Sequence, residues 1–477
     1  MTGRFVSFIT GLLFLMAIKT NLLATTETSL VKQWQQAKTY VCYYGKQKVD
    51  SLRKFDVAII ESRNYTAAEI ARIKAKGTIV VGYISIGEDL ELRKGNGRGP
   101  GGNASYYIDM NGDNAPDQNP IWKSYYINPG DPTWQDWIIK NQMREVLAEK
   151  GCQGIFMDTM DSAEIFPSIR EGMIQLVRRM QRAYPSAFLV ANRGLVILES
   201  VAPYISGLMY EAFSMADYDW QKKEYIAQTP FQRTETAYKA VKLINRIREK
   251  YDFQVFALDY AKPTDLNKIQ EYYDRAWSYN FLPYVSTIEL NQVFIHKIKP
   301  KTRRGNLAQC YQEFDPIYQK LKKRINSKNI AFAQNGAAIH VSSTFPGYTV
   351  EPLNDGIRQS KDLYWALAAW ASEETDAEHW VEVELAETAP LDSIRIYWAF
   401  MDPTYAASQF YTIYGWFSNQ WNELLYYQNN QTNREFDVFK IDSPIPMEKI
   451  KIVQSPEKGP VERPKLCWIA EIEVLKR

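Results

Sequence analysis

Cysteine is scarce in this chain, and Cys42, Cys152, Cys310 and Cys467 are far apart with no metal-ligand spacing among them. They imply no zinc site; buried free thiols and a disulfide both stay open. Net charge is also nearly absent, at +2 from 57 basic and 55 acidic residues that are interspersed. That excludes the basic face a nucleic-acid partner requires. Long apolar runs are missing beyond the N-terminus, where Phe5 to Ile18 is short for a membrane span and is broken by Lys19. Arg4 ahead of this run, and Leu22-Leu-Ala24 before Thr25, read as a cleavable signal peptide over residues 1–24. With no cysteine at the cut to suggest a lipoprotein, the expected product is secreted, periplasmic or cell-surface, with no membrane span in the mature protein. The Gly-rich stretch from Gly95 to Gly102 lacks the Lys-Ser/Thr ending of a phosphate-binding loop. No organic cofactor is implied.

Aromatic residues, by contrast, are abundant at 14%, with 13 Trp and 31 Tyr. Most must be core, although carbohydrate sites use such rings as flat amphipathic platforms. From residue 36 onward, apolar or β-branched runs alternate with helix-like segments. The runs are Thr39 to Tyr44, Val57 to Glu61, Thr78 to Ile86, Gly154 to Asp158, Ala187 to Ala191, Gly207 to Glu211, Gln254 to Asp259 and Leu282 to Ser286. The helical patterns lie at Thr66 to Lys76, Pro132 to Lys150, Glu164 to Ala183, Thr234 to Lys250 and Asp265 to Ser278. Eight such repeats predict a parallel sheet closed into a (β/α)₈ TIM barrel over residues 36–310, with a very short helix in the first link. A basic amphipathic helix is expected from Phe314 to Lys328, within a linker at 311–330. Beyond it, short alternating runs such as Trp380 to Leu385, Ser393 to Tyr397, Lys449 to Val453 and Glu471 to Leu475 predict an antiparallel β-sandwich, jelly-roll-like, over 331–477.

Barrel enzymes carry their reactive groups at the C-terminal ends of the strands. The buried run Ile155-Phe156-Met157 stops on Asp158, and Gly207-Leu-Met-Tyr210 stops on Glu211. Two carboxylates on one rim are what glycosidic-bond cleavage requires, and Asp158 and Glu211 are the candidate catalytic pair. Tyr43, Tyr44, Tyr83, Glu88, Asp161, Asn192, Tyr210, Asp259 and Tyr260 lie at or near other strand ends and are candidate substrate contacts. For Glu88, Asp161 and Asp259, a salt bridge or helix cap is an equally weighted reading. The working order makes Asp158 nucleophile and Glu211 acid/base, on the ground that apolar walls and tyrosines raise the Glu pKa; the reverse stays open.

Asp109, Asn111, Asp113 and Asp117, in the long excursion between the third and fourth strands, offer closely spaced oxygens for a hard cation and predict a Ca²⁺ loop. Its similarity is to thrombospondin type 3 repeats. Asn114 stands where those loops carry glycine, and Asn tolerates the left-handed conformation. The other reading is a solvated acidic turn. An ion there is expected to stiffen one wall of the cleft and to present Tyr106, Tyr107, Trp122, Tyr125 or Tyr126 to substrate.

Taken together, Tyr43-Tyr44-Gly45, Tyr83-Ile-Ser-Ile-Gly-Glu88, Gly154 to Ser162 and Tyr210-Glu211 resemble the motifs of glycoside hydrolase family 114, the endo-α-1,4-polygalactosaminidases. The resemblance implies a barrel that cuts within α-1,4-linked galactosamine-containing polysaccharide, with its Asp and Glu at positions 158 and 211 and a retaining outcome. The C-terminal region resembles a galactose-binding-like module of the discoidin or coagulation factor 5/8 C type. It implies glycan binding and one structural Ca²⁺ near Asn354, Asp355 and Glu471. A monomer with a polysaccharide as its partner is expected. The alternatives are a non-catalytic glycan-binding protein with a degenerate barrel, or a hydrolase of a different polysaccharide.

Overall fold

A computed structural model describes residues 29–95, 97–298, 328–358, 363–441 and 445–477. The expected signal segment, Cys310 and the helix expected from Phe314 lie outside them. The chain divides into two compact units, Met1–Ala227 with Val241–Asn306, and Gln228–Ala240 with Leu307–Arg477.

In the first unit the continuous apolar runs become strands buried on both faces, as a parallel sheet requires. Eight strands lie side by side in the order β1 (Tyr40–Tyr43), β2 (Val57–Ile60), β3 (Ile79–Ser85), β6 (Gly154–Asp158), β7 (Phe188–Asn192), β8 (Gly207–Glu211), β11 (Gln254–Tyr260) and β12 (Leu282–Ser286). Every ladder among them is parallel. At the seam, the Tyr44 N–H donates to the Leu290 carbonyl at 2.8 Å and the rings of Tyr40 and Tyr284 stand 5.7 Å apart. The bottom is filled by aromatics: Trp34 stacks on Phe188 at 4.5 Å and meets Phe256 edge-on at 5.6 Å. Gly207 opens β8 there because a Cβ would lie 2.9 Å from Phe256 and 3.1 Å from Trp34.

The connecting helices follow the periodicity, with local departures. The first link holds only Val49–Leu52, as short as expected. Ala67–Lys74 starts at Thr66 with a reciprocal capping box to Glu69. Pro132–Trp137 is α-helical and then widens into π-type turns from Ile138 onward, a change that apolar spacing alone does not announce. Two short ladders on the C-terminal rim were not expected: β4 (Glu88–Asp89) with β5 (Tyr125–Tyr126), and the hairpin β9 (Met215–Asp219) with β10 (Glu224–Ala227).

The second unit is antiparallel, with strands β13 (Ala338–Val341), β14 (Trp370–Ala371), β15 (His379–Trp398), β16 (Phe400–Met401), β17 (Thr404–Tyr405), β18 (Phe410–Phe417), β19 (Gln420–Gln428), β20 (Phe436–Lys440), β21 (Pro446–Gln454) and β22 (Trp468–Lys476). The 20-residue β15 runs through both layers: its first part pairs with β13 and β21, its last part with β20 and β22. A register shift between Glu384 and Ala389 marks the crossing. Val381, Val383, Ile394, Ile396, Ile413, Ile452 and Ile472 fill the space between. Among the described residues, no helix is long and apolar enough to cross a membrane.

Candidate active site

Three adjacent strands, β6, β7 and β8, end on Asp158, Asn192 and Glu211. The residue after each is non-glycine yet left-handed: Thr159 at φ 63°, Arg193 at 53° and Ala212 at 53°. For β-branched Thr159 this is a strained conformation, and the surroundings hold it. Its hydroxyl accepts the Gly87 N–H at 2.8 Å and lies 3.0 Å from the Ser85 hydroxyl. A Cβ on Gly87 would come within 2.1 Å of the Thr159 carbonyl, so only glycine permits this approach of the β3 turn to the β6 turn.

Asn192 joins the two acids. Its side-chain Nδ2 donates to Asp158 Oδ1 and to Glu211 Oε2, each at 2.7 Å. Those two oxygens can therefore stand no farther apart than twice that distance. Tyr260 donates its hydroxyl to Glu211 Oε1 at 2.5 Å, and Tyr83 donates to Asp158. Tyr44 packs edge-on against Tyr83 at 5.2 Å, and the Asn64 side chain fixes its carbonyl at 2.8 Å. Burial holds the three phenols well above the usual tyrosine range, so they remain protonated donors. Burial, and then the charge of Glu211, push Asp158 up to about 6. A raised Asp158 is compatible with either order of roles within the pair. Asp161, one turn on, lies 4.0 Å from the Arg193 guanidinium.

Four expected contacts sit elsewhere. Tyr43 alternates away from Cys42 and Tyr44; its ring is buried and its hydroxyl donates to the Lys46 carbonyl at 2.7 Å. Tyr210 alternates away from Glu211 and packs edge-on against Phe213 at 5.3 Å. Glu88 is buried, accepting from Asn119 Nδ2 at 3.0 Å and from the Ser124 hydroxyl. Asp259 is buried, accepts the Ser214 N–H at 2.5 Å and is pushed up to about 7 by burial. Both acids anchor rim loops. Arg193 and Thr159 carry geometry that sequence reasoning did not assign, although Asn192-Arg193-Gly194 was visible at a strand end.

In the loop expected to hold calcium, Asn114 takes the left-handed turn at φ 62°. The oxygens there face backbone amides: Asp109 accepts from Gly112 and Asn114, Asn111 from Asp113, Asp113 from Ala115, and Asp117 from Met110. Among the described residues, no group of three or more His, Cys, Asp or Glu is placed to hold a metal. Of the aromatics this loop was expected to present, Tyr106, Tyr107 and Tyr126 are buried, while Trp122 is exposed. In the second unit, Asn354 donates to the Ala331 carbonyl at 2.9 Å. Glu471 is fully buried, accepting the Gly356 N–H on Oε2 at 3.1 Å while Oε1 has no hydrogen-bond partner. Burial, and then the charge of Asp355, hold this carboxyl well above its usual range. An orphaned acid oxygen beside a second acid fits a hard cation.

A profile of glycoside hydrolase family GH114 matches residues 21–300, more than half of the chain. The chain belongs to glycoside hydrolase family 114. This family 114 enzyme is similar over 55% of its length to all of the glycoside hydrolase domain of PelA from Pseudomonas aeruginosa, at 20% identity and a TM-score of 0.46. It is similar over 54% of its length to 95% of Aspergillus fumigatus Ega3, solved in complex with galactosamine, at 16% identity and a TM-score of 0.39. Another 31% of the hydrolase is similar to 97% of the family 32 carbohydrate-binding module of C. perfringens NanJ, solved with galactose, at 19% identity and a TM-score of 0.25. No curated protein matches it.

Proposed function

We propose that this family 114 hydrolase is exported and cuts within an α-1,4-linked galactosamine-containing polysaccharide with retention of configuration, using Asp158 and Glu211. The observation that carries the reading is the single Asn192 nitrogen bonded at 2.7 Å to both acids. It supports the roughly 5–5.5 Å separation of a retaining pair over the roughly 6.5–9.5 Å of an inverting one. One carboxylate attacks the anomeric carbon while the other acid protonates the departing glycosidic oxygen. That second group then takes a proton from water as water displaces the sugar from the first. Tyr260, Tyr83 and Asn192 hold the acids' orientations and donate to whichever oxygens are charged.

The test is reducing-end release from a partly deacetylated galactosamine polymer, comparing the full chain with Asp158→Asn and Glu211→Gln. Each variant is expected to lose on the order of a thousandfold in rate with binding retained, and the first product to be the α anomer by NMR. Wild-type protein that binds but cleaves no polymer would instead be a glycan-binding protein, and cleavage confined to another polymer would refute the galactosamine assignment. The C-terminal sandwich, in this reading, binds glycan and holds Ca²⁺ through Asp355 and Glu471. The loop from Asp109 to Asp117 has no step in the mechanism.

A further inference from the structure

Trp122 and Trp220 are large apolar side chains left 59% and 47% exposed. Trp122 belongs to the long excursion after β3, and Trp220 to the β9–β10 hairpin after β8. Their rings meet edge-on at 5.7 Å. The strand order is β3, β6, β7, β8, so this contact joins loops from the strands on either side of those that carry Asp158 and Asn192. An aromatic bridge therefore stands on the same rim as the acids.

Both turns are built rather than slack. The Trp122 N–H donates to Asn119 Oδ1 at 3.2 Å, and the same Asn119 side chain donates to buried Glu88, which also accepts from Ser124 on the other side of the tryptophan. At the other turn, Asp219 Oδ1 accepts from Gln221 and Lys222, each at 2.9 Å. Tyr218 backs Trp220 at 5.0 Å and Tyr225 at 4.9 Å, while buried Asp259 grips the backbone at Ser214 just before the hairpin. Rings held out on braced turns lose little freedom when a ligand stacks on them.

We infer that Trp122 and Trp220 form a sugar-stacking subsite that binds units of the polysaccharide flanking the bond to be cut, with Glu88 and Asp259 as the buried anchors of its two turns. The inference rests on the carbohydrate-cleaving reading of the acid pair, and it adds the residues that grip the polymer away from the reacting centre. The apolar face of a sugar unit suits an exposed aromatic pair on the rim that carries the acids.

The test measures polymer hydrolysis by the full chain and by Trp122→Ala, Trp220→Ala and the double variant, with Trp122→Phe and Trp220→Phe as controls. KM for the polymer is expected to rise roughly five- to tenfold in each Ala variant, with kcat within about twofold and the Phe variants close to wild type. An unchanged KM in the double variant, while the wild type turns over normally, overturns the subsite. If the wild type cleaves no galactosamine polymer, the functional reading fails by itself. The subsite is then judged by tryptophan fluorescence against a panel of oligosaccharides in the Asp158→Asn background. A sugar-dependent change abolished by the double substitution supports it, and the absence of any such change refutes it.

Discussion

Tyr83 and Tyr260 each give one hydroxyl to one acid of the pair, and a hydroxyl donated to a carboxylate favours its charged form. Asp158, at about 6, is therefore lower than burial and Glu211 would leave it alone. Tyr83→Phe removes that donor, so the limb of the pH–rate profile near 6 should move to higher pH while the Glu211 side of the site keeps its Tyr260 contact. A limb unmoved within about 0.3 unit, a small fraction of the free energy of one hydrogen bond, would detach Tyr83 from the pair. If the limb lies on the acid side, Asp158 must be ionised to act, as a nucleophile must. If it lies on the basic side, Asp158 must be protonated, as a general acid must. At this scale the sequence was partly legible. The acids that end apolar runs are legible, whereas Tyr43 and Tyr210 each precede the inward residue by one position, and period-2 alternation turns them away from the pair.

At the scale of elements, β6, β7 and β8 share one device, a site residue followed by a left-handed non-glycine residue. An Ala-to-Gly change in an ordinary segment costs roughly 0.5–1 kcal/mol through chain entropy. At Ala212, relief of left-handed strain worth roughly 1–2 kcal/mol opposes that cost. Ala212→Gly should accordingly leave stability unchanged or raise it by up to about 1 kcal/mol in urea unfolding, and lower kcat by loosening the turn that follows Glu211. A loss of more than about 1 kcal/mol would show that position 212 carries no strain. The β9–β10 hairpin beyond this turn was not foreseen, since Met215–Asp219 and Glu224–Ala227 are short, polar and only partly buried. For Glu88 and Asp259 the sequence leaves a substrate contact and a structural role equally weighted, and both acids hold loops. An acid at a strand end faces substrate or an overlying loop, and only the loop's path distinguishes the two.

For the whole molecule, the second unit offers a separate test. Glu471 is buried with one oxygen unpartnered beside Asp355, so a cation that neutralises both should stabilise the native state by linkage. Calcium is expected to raise the melting transition of the C-terminal unit by several degrees, roughly the effect of 1–2 kcal/mol in a domain of this size. Glu471→Gln should abolish the response. A calcium-independent transition in the wild-type chain would end the assignment, and a response retained in Glu471→Gln would move the ion elsewhere.

The sequence by itself determined the class of each half and the strand ends on which the two candidate acids stand, because periodicity follows from which faces must be buried, and a carboxylate closing a buried strand has only the rim to emerge on. Tertiary structure alone decided which polar residues meet. Asn192 reaches both acids because β7 lies between β6 and β8. Trp122 and Trp220, 98 positions apart in the chain, touch because two loops lean toward each other over the rim. Such neighbours depend on strand order and loop path, and neither is written in the spacing of residues along the chain.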